Sequence, residues 1–189
     1  KDAELGGVCL NRGCIPSKAL LHLAKVMEDA KSLKKSGISF SKPQLDLEGI
    51  INWTNSVVGK LNKGISQLAK ARNVEILHGT AQFNSTNQLS ISTKNNTQTV
   101  EFDDCIIATG SRASSIPDLD IDHQKIINST SALQLSNIPE NMLIIGGGYI
   151  GLEMGSVYHA LGSEITVVEF MPTILPGADE DLVKPLYRK

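Results

Sequence analysis

Residues Met142 to Glu169 constrain the fold more than any other stretch of the chain. Met142-Leu143-Ile144-Ile145 is a short apolar run of the kind that fills a buried strand, and it passes at once into Gly146-Gly147-Gly148-Tyr149-Ile150-Gly151. Helical spacing then runs to Leu161, Gly162 supplies a stop, and Ile165-Thr166-Val167-Val168 reads as the next strand. A G-x-G-x-x-G turn alone is a weak signal. Set between strand and helix, with the acidic Glu169 closing the second strand, it predicts the βαβ unit of a dinucleotide-binding fold. There Gly146 makes the tight turn, Gly148 lets backbone approach a pyrophosphate, and Gly151 lets helix pack on strand, while the helix N-terminus supplies a positive dipole end. Glu169 would accept hydrogen bonds from the adenine-side ribose and repel a 2′-phosphate, which favours NAD over NADP. The plainer alternative is a glycine turn followed by a merely solvated Glu169.

The second informative stretch is Gly6-Gly7-Val8-Cys9-Leu10-Asn11-Arg12-Gly13-Cys14-Ile15-Pro16-Ser17-Lys18, in which two thiols open an amphipathic pattern. We read the pair as a redox-active disulfide. In an undistorted helix residues i and i+5 lie about 8 to 9 Å apart at Cα, whereas a disulfide needs less than about 7 Å. The first turn therefore has to deform, and Gly13 permits unusual backbone angles, while Pro16 removes a donor that a first turn leaves unpaired. A helix N-terminus favours thiolate, so reduction would leave a nucleophilic sulfur. Spacing by itself leaves two alternatives open: buried free thiols, or half of a zinc site. Against zinc, the remaining cysteine, Cys105, lies in the apolar run Cys105-Ile106-Ile107-Ala108 and reads as core, and no His stands within four residues of Cys9 or Cys14. No metal site is expected.

Composition excludes little beyond charged polymers and lipid. A chain of 189 residues with net charge -2 carries no basic excess for nucleic acid, and its longest apolar runs are too short for a membrane span. No signal peptide is visible, and the abrupt start leaves a missing leader open. Three cysteines do not make a disulfide framework; one catalytic pair in a reducing compartment fits better.

Apolar residues recur at helical spacing from Ile15 to about Lys35 and again from Leu47 to Ala71, the latter despite Gly59 and Gly64, and the two helices should pair. The period then shortens to β runs at Val74–His78, Thr80–Phe83, Gln88–Thr93 and Thr99–Ile107, separated by Asn, Ser and Thr turns, which predicts a small sheet or meander. Asp118–Asn137 reads as the passage into a second domain. A thiol pair and a nicotinamide site in one chain imply electron flow between them, for which a flavin is the usual mediator.

The cysteine stretch as a whole, continued by Ala19-Leu20-Leu21, resembles the signature of the dihydrolipoamide dehydrogenases, a group of the class I pyridine nucleotide-disulfide oxidoreductases. Gly148-Tyr149-Ile150-Gly151-Leu152-Glu153-Met154-Gly155 and Ala160-Leu161-Gly162-Ser163 resemble the bacterial form. The likeness implies an α/β fold of two Rossmann-like nucleotide-binding domains, both incomplete, with a small antiparallel β meander. Residues 1–115 would belong to the FAD domain, without its first βαβ unit, and 116–189 to the first part of the NAD domain. It implies that Cys9 is the interchange thiol and that Cys14 lies against the flavin. Gly6, Gly7, Val8, Cys9, Lys18, Ala81, Thr109 and Gly110 would serve FAD, and Gly146, Gly147, Gly148, Tyr149, Ile150, Gly151, Glu153 and Glu169 the NAD side. Lys18 and Glu153 would pair, although either could be an ordinary solvated helix charge. Tyr149 would be an aromatic gate over the nicotinamide or a helix-start aromatic packed on the sheet.

The same resemblance implies NAD-dependent oxidation of dihydrolipoyl groups, lipoyl domains of 2-oxo acid dehydrogenase complexes as partners, a homodimer and a cytoplasmic location. Glutathione and mercuric ion reductases are the nearest rivals; Ser17 and Glu169 argue for the lipoyl enzyme. A non-catalytic role for these residues alone is the reading from another class. Arg12 and Ala113 depart from the pattern. A first FAD-binding unit would precede Lys1, and a His–Glu acid-base pair would follow Lys189. His22, His78, His123 and His159 match neither and read as surface or packing residues.

Overall fold

The computed structural model describes residues 4–188. In chain order the described elements are helices α1 (Gly7–Arg12) and α2 (Cys14–Ser32), a 3-10 turn (Leu33–Ser36) and α3 (Leu47–Ala71). Strands β1 (Thr80–Ser85), β2 (Gln88–Ser92) and β3 (Thr97–Glu101) follow, then α4 (Ser129–Ala132), β4 (Asn141–Ile145), α5 (Tyr149–Leu161), β5 (Glu164–Val168) and α6 (Glu180–Tyr187). The fold is α/β: β1, β2 and β3 form an antiparallel meander, and β4 and β5 pair in parallel from Asn141↔Glu164 to Ile145↔Val168. Parallel strands need a crossover, which α5 provides, so the predicted βαβ unit stands.

Helix α3 spans the predicted residues without a break. Asp46 caps it by accepting from the Gly49 N–H, and Cβ atoms at Gly59 and Gly64 would meet nothing, so neither glycine marks a close approach. Helices α2 and α3 pack together as expected.

The buried core is formed by Leu20 of α2, Ala132 and Leu135 in and after α4, and Met154, Val157 and Tyr158 of α5. It therefore fastens the cysteine-bearing helix to the helix of the glycine turn, and the stretch read as a passage between domains supplies part of that core. Asn128 makes this possible, since its side chain caps α4 by accepting from the N–H groups of Thr130 and Ser131. Burial pushes the Tyr158 hydroxyl's pKa up, and that hydroxyl donates to the Ala132 carbonyl at 3.0 Å. Tyr158→Phe keeps the ring and loses the bond, so it should destabilise the fold by about 1 kcal/mol, measurable as a lower denaturant midpoint with an unchanged slope.

Some expectations fail and one is refined. Val74–His78 forms no strand, and the run predicted as Thr99–Ile107 is a strand only over Thr97–Glu101, because no described segment offers a ladder to the remainder. Ile106, 91% exposed, shows an apolar strand pattern without a neighbour, and Cys105 is exposed rather than core. The first long helix forms as read: α2 runs from Cys14 to Ser32 and its end tightens into the 3-10 turn, with the short α1 before it as an addition. Tyr149 does not pack on the sheet, being 67% exposed.

Candidate functional site

Gly13 breaks the helix between the two thiols. Its φ of -146° and ψ of -108° end α1 and start α2, and a Cβ there would lie 3.1 Å from the Val8 carbonyl oxygen and 3.3 Å from the Cys9 Cα. The chain thus doubles back at a point where a side chain would crowd the end of α1. Cys9 and Cys14 come to a Cα separation of 4.7 Å, well short of an undistorted helix, and their sulfurs are bonded. The bond agrees with the disulfide reading of the pair. Both cysteines are exposed, and Cys14 is the first residue of α2, where the unpaired N–H groups favour thiolate after reduction. Arg12 is exposed beside them.

One turn beyond Cys14, Lys18 Nζ meets Glu153 Oε1 at 2.5 Å, which places the expected pair across the α2–α5 contact. Ser17 Oγ donates to the other carboxylate oxygen at 2.9 Å. Sequence reasoning missed this bond, as it missed Asn11. The Asn11 amide donates to the carbonyls of Leu5 at 3.0 Å and Gly7 at 2.9 Å, and its Oδ1 accepts from Asn62 of α3. A signal was available, because Asn is a poor helix former whose side chain readily holds nearby backbone.

The glycine turn is built by close approach. A Cβ at Gly151 would come within 2.3 Å of the Gly146 carbonyl oxygen and 3.1 Å of Ile144 Cγ2, so helix α5 can sit on β4 only with glycine there. Gly155, one turn on, serves the same packing against Ile144 and Ile165. At Gly148 a Cβ would meet nothing within 4 Å, which leaves an open cradle at the N-terminus of α5. Glu169 reaches back to this turn: its carboxylate accepts from the Met171 N–H at 2.7 Å and the Gly147 N–H at 2.6 Å. These backbone bonds, that of Met171 first, hold its carboxyl below the usual carboxylate range. The merely solvated reading of Glu169 is thereby excluded. An open cradle, a helix N-terminus and a fixed carboxylate fit the diphosphate and ribose of a dinucleotide. Tyr149 and Ile150 are exposed at the mouth of the turn.

The residues expected to serve FAD are brought together in part. Gly6 and Gly7 take left-handed φ values of 97° and 63°, and Gly110, at φ 81°, lies against Val8, whose Cγ2 would be 3.5 Å from a Cβ at 110. Two glycine turns thus meet beside the cysteines, with backbone free of side chains, which suits a flat dinucleotide laid along it. Thr109 adjoins them and is exposed. Ala81 sits on exposed β1, and the meander has no extensive packing against the helices among the described residues.

The chain matches the sequence profile described as pyridine nucleotide-disulphide oxidoreductase over residues 3–188. It is 47% identical over 182 residues to the dihydrolipoyl dehydrogenase of Vibrio parahaemolyticus, covering 96% of this chain and 38% of that protein. The dihydrolipoyl dehydrogenase of Haemophilus influenzae is 49% identical over 182 residues, again 96% of this chain and 38% of that protein. Leghemoglobin reductase of Vigna unguiculata is 45% identical over 190 residues, 100% of this chain and 36% of the relative. Among solved structures, the HOCl-induced flavoprotein disulfide reductase RclA from Escherichia coli superposes with a TM-score of 0.76 at 28% identity, covering 100% of this chain and 39% of that one. This chain therefore spans less than two fifths of the length of these relatives.

Proposed function

The chain belongs to the pyridine nucleotide-disulphide oxidoreductase family, and from that premise we propose that the whole protein is a dihydrolipoyl dehydrogenase, oxidising dihydrolipoyl groups with NAD. The observation that carries the proposal is the bonded, exposed Cys9–Cys14 pair on a helix fastened to the helix of the glycine turn. The relatives named dihydrolipoyl dehydrogenase support the choice of substrate.

The chemistry of the pair is thiol–disulfide exchange. A dihydrolipoyl thiolate attacks Cys9 Sγ, forming a mixed disulfide and releasing Cys14 as thiolate at the α2 N-terminus, where the helix favours the charge. The second dihydrolipoyl sulfur then attacks the first, closing the lipoyl disulfide and leaving Cys9 reduced. Two substrate thiols are oxidised, one protein disulfide is reduced, and two protons are passed on. FAD, when bound, would accept this electron pair and deliver it to NAD as hydride. The turn at Gly6, Gly7, Val8 and Gly110, with Cys9, Lys18, Ala81 and Thr109, would hold FAD. Gly146 to Gly151 would hold the diphosphate of NAD, with Tyr149 over the nicotinamide side and Glu153 anchoring Lys18. Lipoyl domains of 2-oxo acid dehydrogenase complexes as partners, a homodimer and a cytoplasmic location belong to the same proposal.

Purified whole protein should be yellow and should reduce NAD when given dihydrolipoamide; a colourless product, or one inert to dihydrolipoamide, overturns the assignment. The coenzyme choice is tested separately at Glu169. Its depressed pKa keeps it charged through the neutral range, and its acceptor role is lost only as pH falls through and below the ordinary carboxylate range. Glu169→Arg removes the ribose acceptor and supplies a partner for a 2′-phosphate, so Kd for NAD should rise roughly 10-fold or more while NADP binding improves. Unchanged NAD affinity would remove Glu169 from ribose recognition.

A further inference from the structure

We propose that Ser17 is a positioning residue, whose hydroxyl locks the Glu153 carboxylate and so sets the distance between the cysteine pair and the glycine turn; the inference rests on the reading of these two sites as one redox unit. Ser17 is 5% exposed, and its Oγ lies 2.9 Å from Glu153 Oε2 and 3.2 Å from the Cys14 carbonyl oxygen. A serine has one proton, and the nearer, charged acceptor takes it. The other Glu153 oxygen receives Lys18, whose side chain is 59% exposed. An exposed ammonium is a weak and mobile tether, since water and salt compete for it. The buried hydroxyl has no such competition and defines one orientation of the carboxylate. Glu153 lies two residues beyond Gly151, and Ser17 three beyond Cys14. This hydrogen bond, beside the exposed Lys18 ion pair, therefore ties the first turn of the thiol helix to the start of the dinucleotide helix. Core packing between α2 and α5 starts just beyond this bond, at Leu20 and at Met154, Val157 and Tyr158, so Ser17 extends the contact towards the ends where the chemistry lies.

The test uses the flavin-loaded whole protein. Ser17→Ala should lower kcat for dihydrolipoamide-dependent NAD reduction roughly 10-fold, in line with the sensitivity of transfer steps to small displacements, with KM for dihydrolipoamide unchanged within about twofold. Exchange of the Cys9–Cys14 pair with a small dithiol in the absence of NAD, followed by thiol titration, should keep its wild-type rate, because the exposed sulfurs do not need α5 for that step. Ser17→Thr retains the donor and should restore kcat. In a Glu153→Gln background the alanine change should add less than about twofold, since the locked carboxylate is already gone. Equal slowing of exchange and NAD reduction, an unchanged kcat, or independent effects of the two changes overturns the proposal. If the alanine variant does not retain flavin, Ser17→Thr decides: wild-type kcat supports the role of the hydroxyl and a 10-fold loss overturns it. A wild-type protein inert to dihydrolipoamide removes the functional reading and this inference together, whereas an active wild type with an indifferent Ser17→Ala removes the inference alone.

Discussion

Cys9→Ser and Cys14→Ser each lower dihydrolipoamide-dependent NAD reduction in the whole protein by at least about 10³-fold, the scale expected when a covalent group is deleted and not merely displaced. The two sulfurs have no substitute nearby. Cys105 is the remaining cysteine of the sequence, and it sits exposed in a separate apolar run. Serine leaves the shape of the Gly13 break almost unchanged, so folding and flavin content should survive and the loss should fall on turnover. The halves of the reaction divide the two variants. With Cys9 absent, the exchange itself should stop, because the first mixed disulfide cannot form on the interchange sulfur. With Cys14 absent, a mixed disulfide can be made at Cys9 only by an oxidised lipoyl group, and no electron pair leaves the dihydrolipoyl form. Lipoamide turnover retained within tenfold in either variant takes the pair out of the mechanism.

Local patterns were legible in the sequence wherever the chain supplies its own partner. Met142 to Glu169 contains both strands, the crossover and the turn of one βαβ unit, so each apolar position has its neighbour within the same stretch, and the structure forms the unit as read. Helix α3 was equally plain, because an amphipathic stripe of 25 residues identifies itself without reference to anything else. Cys105-Ile106-Ile107-Ala108 carries the same strand signal as Met142-Leu143-Ile144-Ile145, yet a strand is a hydrogen-bonding relation, and no described segment lies alongside to complete it. The thiol pair was readable from spacing and Gly13, but the division into α1 and α2 was not, since it depends on the close approach of Gly13 to Val8 and Cys9. Lys18 and Glu153 could be matched by resemblance. The bond from Ser17 to Glu153 could not, because a buried serine is indistinguishable from a solvated one until its neighbour 136 positions away is in place.

The second large effect separates two glycines that look alike in the motif. Gly151→Ala puts a Cβ 2.3 Å from the Gly146 carbonyl oxygen, and neither atom sits on a side chain that can swing away. Relief requires α5 to lift from β4 or the turn to open, at a cost of about 2 to 4 kcal/mol in a packed unit. The variant should show a lowered denaturant midpoint without any ligand, and NAD binding should be lost with the turn. Gly148→Ala behaves in the opposite way. Its φ of -73° and ψ of 172° are open to any residue, and the added methyl meets no atom within 4 Å, so stability without ligand should stay within about 0.5 kcal/mol of wild type. The space the methyl fills is the cradle itself, and Kd for NAD should rise roughly 10-fold or more because backbone no longer approaches the diphosphate. Calorimetric binding together with denaturant unfolding on both variants resolves the two roles. A Gly148→Ala protein that binds NAD like wild type would place the diphosphate elsewhere, while an undisturbed Gly151→Ala protein would show that the helix does not need its close contact with the turn.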